Sequence, residues 1–374
     1  MTAAIQDAVR EAGELRAPLR IVAGESWLDA GRPVKANRVL SVGDLSGIVD
    51  YVPSDLTITV RAGTRLSEIE RATRENGQWF PVNPFGTSEA TIGASVATAS
   101  SGPLSHGFGA IRDLVLGFEA VTGDAKVIRG GGRVVKNVAG FDLVRLMTGS
   151  WGTLGVITEL TLRLYGLPYN RRTVAIEAPT DARKLAERLR ALRDAPVIPF
   201  ALELLNATAA RKVGLPPRQI ILVELGGNNA AVDSQIDALK NFGALIDGSA
   251  EMWDALRKPD AGEQIVFRVS GLPALLPERW ERTSRVASSS ENATMHASIG
   301  RGTVRCILTS DPGVAVLDQL SAPDANDTLI LERAPATWWT KISPSAVDNR
   351  VSQNLKRGFD PLGILNPGIL GPVN

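Results

Sequence analysis

Few residues in this chain can do chemistry. Its 374 residues include two histidines, His106 and His296, and one cysteine, Cys306. A single cysteine excludes an intrachain disulfide, a cysteine-built zinc site and an iron–sulfur cluster held by this chain alone. Two histidines leave little scope for a histidine-rich metal centre, and no metal is expected. His296 opens the stretch His296-Ala297-Ser298-Ile299-Gly300-Arg301-Gly302-Thr303-Val304-Arg305. A histidine has the near-neutral pKa of a general base, and an arginine clamps a carboxylate. His296 with Arg301 or Arg305 therefore has the parts of a catalytic pair. The plainer alternative is a satisfied, part-buried histidine beside solvated arginines.

Glycine is the commoner signal, with 36 in the chain. A dinucleotide loop needs G-x-G-x-x-G between strand and helix. Gly107-Phe108-Gly109 begins that pattern, but Arg112 stands where the third glycine belongs, and no Gly-Lys-Ser/Thr phosphate loop occurs. A Rossmann domain of the NAD type and a P-loop nucleotidase are disfavoured. A different anion site is left open by Pro81–Ala110, which contains no Lys or Arg. A phosphate there must meet backbone N–H groups and hydroxyls. Gly86, Thr87, Ser88, Thr91, Gly93 and Ala94 let a backbone approach. The same residues also suit a helix packed tightly against a neighbour. A second block, Gly149-Ser150-Trp151-Gly152-Thr153-Leu154-Gly155-Val156-Ile157-Thr158, runs from a glycine turn into a strand. It suits either a flat ring lying on backbone or a bulged turn. Gly130-Gly131-Gly132 reads as a connection.

The elements that must position these blocks are strands in the first half. Leu19–Val22, Leu56–Ala62, Leu114–Val121, Lys126–Arg129 and Gly155–Leu164 carry strand patterns, and Thr122–Ala125 makes a hairpin turn. Ser67–Glu70 has the spacing of a capping box that starts a helix ending near Gly77. Ala90–Ser101 reads as a small-residue helix. From Arg171 strands alternate with helices, with strands at 173–178, 200–204, 219–225, 264–270, 303–309 and 328–332. The helices fall at 181–193, 231–242, 252–257 and 314–320. This predicts an α+β layer built on an antiparallel sheet with helices. The tail carries one helix and a Pro/Gly-rich strap, Phe359–Gly368.

Taken together, the blocks resemble a family. Ala90-Thr91-Ile92-Gly93, Ser101-Gly102, Gly107–Asp113, Leu116-Gly117, Lys136, Gly140–Leu143, Gly149–Thr158 and Asn366-Pro367-Gly368 appear in one order. The chain resembles flavoproteins of the vanillyl-alcohol oxidase / p-cresol methylhydroxylase type. Within that group, Val134–Met147 is most similar to the FAD-binding E subunits of bacterial glycolate oxidase (glycolate dehydrogenase) complexes. The similarity is strong over residues 18–168, moderate over the tail and weak between. It implies a two-part FAD-binding domain, residues 1–168 and 336–374, with an inserted cap at 169–335. The residues it implies at the cofactor are Gly24, Glu25 and Ser26 in the first pyrophosphate loop. Thr91, Ile92, Gly93, Thr98, Ser101 and Gly102 fall in the second, with Gly152, Gly155 and Ile157 beyond and Lys136 in the motif. Two departures stand out: the first loop is glycine-poor, and Ala94 replaces a usual glycine. Glu25 occupies the place from which some relatives tether flavin by histidine, so noncovalent FAD is expected.

The resemblance also implies a role. Hydroxy-acid dehydrogenases of the group often carry two cap histidines around Gly-Asp-Gly-Asn that help hold a metal and the substrate. The stretch from His296 to Arg305 keeps one. The expected function is therefore an FAD-binding subunit that works with a catalytic flavoprotein and an iron–sulfur subunit on a small 2-hydroxy acid. The alternatives are a self-sufficient FAD-dependent 2-hydroxy-acid dehydrogenase and a flavin-less scaffold. Trp338-Trp339 is a partner contact or core. Composition sets the limits: 44% hydrophobic, 22% charged and a net charge of +1 give no field that favours nucleic acid or an anionic membrane. No apolar run reaches spanning length, and residues 1–16 lack a signal-peptide core, so a cytoplasmic protein is expected, membrane-associated only through partners.

Overall fold

The computed structural model describes residues 1–24, 29–132, 141–258, 264–320, 327–342 and 349–371. The chain forms two units. The first is Met1–Ser101, Gly109–Leu167 and Ile342–Asn374; the second is Gly102–Phe108 and Pro168–Lys341. The second unit is thus inserted in the first, and a seven-residue excursion, Gly102–Phe108, belongs with it. The reason is local. Gly107 N donates to Phe200 O at 3.0 Å, and Phe108 meets the Phe200 ring edge-on at 4.9 Å. A Cβ at Gly107 would stand 3.0 Å from Phe200 Cα, so glycine lets the short helix 105–108 approach residue 200.

The first unit is built on five strands in the order Ile48–Val52, Thr57–Arg61, Val156–Arg163, Val115–Val121 and Val127–Gly131. All neighbours are antiparallel. Strand 156–163 is central because Val156, Thr158, Leu160 and Leu162 alternate onto a buried face. The hairpin 115–131 turns where Ala125 takes a positive φ of 59°. Helix Thr2–Glu14 puts Ile5, Val9 and Ala12, one helical stripe, into a core with Leu19, Val121, Val156 and Leu365. A separate parallel pair, Leu19–Val22 with Arg38–Ser41, leads towards the first glycine loop. Helix Leu66–Arg74 is capped differently from the expected box: Arg65 is its N-cap, and Ser67 Oγ donates instead to Glu89 at 3.1 Å. The small-residue helix is short, Ile92–Ala97, ending where Ala99 turns to φ 53°.

The second unit is an eight-stranded antiparallel sheet. Its order is 245–248, 170–177, 220–227, 201–205, 294–298, 303–308, 265–270 and 328–333. Helices 182–194, 207–212, 229–240, 250–257 and 276–287 accompany it. Helices 207–212 and 250–257 bury Ala209, Ala210, Trp253 and Leu256 against Ala175, Leu205 and Leu222. Strands 245–248 and 294–298 carry little sequence signal, whereas helix 276–287, absent from the expected elements, shows a helical stripe of Leu276, Trp280, Thr283 and Val286. Thr-Met-His-Ala-Ser has a single β-branched residue, and Pro277 sits in the first turn of the helix, where its missing N–H costs nothing. Among the described residues no helix is long and apolar enough to cross a membrane.

Candidate functional site

The first unit has a cleft open to solvent. Stretches distant in sequence form it, with Ala30, Val34, Val42, Ala62, Pro84 and Phe85 completing the lining. Arg20–Gly24 leave the parallel strand pair, Ala90–Ser100 bring the short helix, Trp151–Ile157 bring the glycine turn, and Asn366 and Ile369 come from the tail. Much of the wall is Ala and Gly, with apolar cover from Ile21, Val22, Phe85 and Ile157. The mostly apolar lining suits an organic molecule.

The small residues are required by packing. Gly93 N donates to Ala62 O at 2.8 Å, and a Cβ at Gly93 would lie 2.7 Å from Ala62 Cβ and O. Ile92 N likewise donates to Thr64 O at 2.9 Å, and Ala94 N reaches Thr91 Oγ1 at 3.4 Å. The first N–H groups of this helix are therefore committed within the protein, a correction to the expectation that they face an anion. What reaches the cleft from this block is its bare surface and its hydroxyls. Ser95 and Thr98 line the cleft; Thr98 Oγ1 donates to Ala94 O at 2.8 Å, which leaves its lone pairs as acceptors. Gly152 has φ 69°, and its missing Cβ clears Asn366 Nδ2 at 2.8 Å. Gly155 likewise clears Met147 Cε and Val121 O, both at 3.2 Å.

Of the residues expected at the cofactor, Gly24, Gly93, Thr98, Gly152, Gly155 and Ile157 line this one cleft. Thr91 and Ile92 lie behind it, 2% and 0% exposed, as the helix cap and a core side chain. Ser101 Oγ accepts from Ile111 N at 3.0 Å, and Gly102 starts the excursion into the second unit. Glu25, Ser26 and Lys136 lie outside the described residues. Asp142, from the same motif as Lys136, caps helix 143–147 by accepting from Arg145 N at 3.1 Å. Arg20 also lines the cleft and carries no sequence motif signal, while Asn366, from the closing Asn366-Pro367-Gly368 motif, arrives from the far end of the chain.

In the second unit, strand register puts His296 opposite Arg305. Both are buried against carboxylates. His296 Nδ1 meets Glu203 Oε2 at 2.8 Å, and Arg305 Nε meets Glu332 Oε2 at 3.0 Å, with Arg268 Nε 3.6 Å from the same carboxylate. Two guanidiniums hold Glu332 below the usual carboxylate range despite full burial, which alone would raise it. Arg301 is separate, exposed on the turn after strand 294–298. The expected grouping of Arg301 with His296 is not formed; its charge is felt by His106 instead. His106 is lowered to about 4 by burial, with Arg301 adding to the shift, and its Nδ1 is buried without a hydrogen-bond partner. Trp338 is a core residue, 2% exposed, donating to Asp311 at 3.0 Å, while half-buried Trp339 donates to Ala334 O at 3.2 Å. Among the described residues no group of three or more His, Cys, Asp or Glu is placed to hold a metal ion.

Comparison with known proteins agrees with this geometry. Residues 1–131 match the family described as FAD binding domain. The chain is 43% identical over 175 residues to glycolate oxidase subunit GlcE of Escherichia coli strain K12, covering 46% of this chain and 49% of that one. It is 31% identical over 217 residues to glycolate oxidase subunit GlcD of Bacillus subtilis strain 168, covering 56% of this chain and 46% of that one. The chain thus spans about half the length of these curated relatives. The crystal structure of p-cresol methylhydroxylase with substrate bound superposes with a TM-score of 0.77 at 15% identity, over 100% of this chain and 87% of that one. The chain therefore carries an FAD-binding domain on a fold of the p-cresol methylhydroxylase type.

Proposed function

We propose that the chain binds one FAD noncovalently in the cleft of the first unit. In this reading it is the FAD-binding subunit of an oxidoreductase complex that acts on a small 2-hydroxy acid. The observation that carries this is convergence: six of the motif residues, from three parts of the chain, line one cleft, and three of them fall within residues 1–131, which match an FAD binding domain. Gly24, Gly93, Gly152 and Gly155 would let the cofactor lie on backbone, and the Thr98 hydroxyl offers acceptor lone pairs. Arg20 offsets phosphate charge, and Ile21, Phe85 and Ile157 exclude water. Bound FAD supplies a two-electron acceptor.

The hydroxy-acid class follows from the similarity to glycolate oxidase subunits. A division of labour follows from the second unit. Its base and its cation are engaged by Glu203 and Glu332, and a substrate carboxylate approaching Arg305 would meet Glu332. Substrate chemistry therefore falls to a catalytic flavoprotein partner, and electron exit to an iron–sulfur subunit, since lone Cys306 holds no cluster. The second reading, a self-sufficient dehydrogenase, is favoured by one feature: Glu203 orients the His296 ring as a carboxylate orients a catalytic base. One preparation decides. The purified chain is expected to show a flavin spectrum that anaerobic glycolate or D-lactate leaves unbleached. Bleaching by the chain alone, lost in His296→Ala, would establish the second reading, and a chain that takes up no FAD would be a scaffold.

A further inference from the structure

The tail carries side chains that the cofactor reading above does not use. Helix Arg350–Phe359 ends at a buried ion pair: Lys356 Nζ lies 2.5 Å from Asp360 Oδ2, whose side chain is 0% exposed. The ammonium also donates to Thr153 O at 2.7 Å and Leu365 O at 3.1 Å, which employs all three of its N–H groups. Asp360 accepts in turn from Ile364 N at 3.1 Å and Leu365 N at 2.9 Å. A Cβ at Gly123 would collide with Asp360 Oδ1 at 2.2 Å, so the hairpin tip is shaped to seat this carboxylate. The fold thus fixes the next residues as a one-residue parallel strand. Leu19 N donates to Ile364 O at 2.7 Å, and Asn366 N donates to Leu19 O at 3.0 Å.

Asn366 is where this arrangement reaches the cleft. Its backbone is held at φ 43°, a conformation asparagine tolerates better than most residues. Its Oδ1 accepts from Ile21 N at 2.7 Å, and its Nδ2 donates to Trp151 O at 2.8 Å. Ile21 precedes Gly24 on one wall, and Trp151 precedes Gly152 on another. One amide therefore joins two walls that are 130 residues apart in the chain. Trp151 is itself at φ 52°, a strained conformation that needs its carbonyl held.

We propose that Asn366 is a positioning residue of the FAD site, and that docking of the tail and binding of FAD are thermodynamically coupled. The proposal rests on the reading that the cleft holds FAD. Coupling is reciprocal: if the docked tail tightens FAD, FAD must tighten the tail by the same factor.

Two measurements on the full-length chain test it. Hydrogen exchange with and without FAD is expected to show the segments around 19–24 and 359–371 gaining protection together. Asn366→Gly keeps the left-handed backbone and removes only the amide. Loss of two hydrogen bonds predicts FAD affinity about thirtyfold weaker, with an altered visible circular dichroism of the residual bound flavin. Asn366→Asp keeps the acceptor for Ile21 but sets a carboxylate against Trp151 O, so it is expected to fall at least as far. If the wild-type chain binds FAD, protection limited to 19–24 overturns the proposal even should the variants fail to fold. Wild-type affinity and spectrum in Asn366→Gly overturn it equally. A wild-type chain that binds no FAD overturns the cofactor reading instead.

Discussion

Gly93→Ala adds one methyl group at the point where the short helix crosses the chain leaving strand 57–61. The added Cβ would stand 2.7 Å from both Cβ and O of Ala62. Ala62 is 1% exposed, and neither contact is the loose end of a flexible side chain. The helix must move away, which also stretches the 2.8 Å bond from Gly93 N to Ala62 O. Overpacking of this kind costs about 1–3 kcal/mol, and the weakened hydrogen bond about 1 kcal/mol more. If that cost falls on the cleft, FAD binding weakens by roughly 30- to 1000-fold. Gly93→Asp adds a charge. At an effective dielectric of about 20, a carboxylate about 4 Å from a phosphate adds roughly 4 kcal/mol of repulsion, enough to abolish binding in ordinary titrations. Apoprotein titrated with FAD, followed by flavin fluorescence at low and high salt, separates the two terms. Only the aspartate variant is expected to recover part of its affinity in salt. Unchanged affinity in Gly93→Ala would refute the packing argument. Gly93→Asp no worse than Gly93→Ala would refute the placement of phosphate beside this helix.

Three further outcomes are expected. Arg20→Met should weaken FAD by about tenfold, as loss of a charged hydrogen bond does, whereas Arg20→Lys recovers part of it; equal affinity in all three would remove Arg20 from the site. Burial lowers the folded pKa of His106 from its ordinary 6.5 to about 4, with Arg301 adding to the shift. Between these values the unfolded chain binds the proton and the folded chain does not, so stability falls as pH drops through that window, by about 2 kcal/mol between pH 8 and 5. Urea unfolding should show this dependence flattened in His106→Gln, and an unchanged pH slope in that variant would contradict it. Cys306 is fully buried and its thiol pKa is pushed up by that burial; thiol reagents should label it only in denaturant, and labelling of the native chain would show that strand 303–308 opens.

Much of the architecture is legible in the residues. Alternation marks strand 156–163, and the turn residues mark the hairpin 115–131. The order of glycine blocks marks the domain type. What escaped the sequence has two sources. Elements of weak local preference, such as strands 245–248 and 294–298, form because the sheet needs them to cover apolar faces. The expected capping box at Ser67 failed for a related reason: Glu89 drew its hydroxyl into a tertiary contact.

The candidate site divides in the same way. The residue types and their order announce a backbone-lined cofactor cleft, because a missing Cβ is a property of the residue itself. The sequence also bounds metal chemistry through its lone cysteine and two histidines. Only the tertiary structure shows that Gly93 is small for the sake of Ala62, and that its N–H is already committed. Only register, through strands far apart in sequence, shows that Glu203 and Glu332 occupy His296 and Arg305. Arg20 carries no local pattern that marks it for the cleft, and Asn366, 346 positions away, sits in a motif that does not reveal what it meets. They meet there because the Leu19–Leu365 bridge, with backbone bonds such as Lys35 N to Pro367 O, brings the last strap of the chain onto its N-terminal segment. Long-range pairing of that kind is fixed by the burial and hydrogen bonding of the whole fold, which no local window of sequence contains.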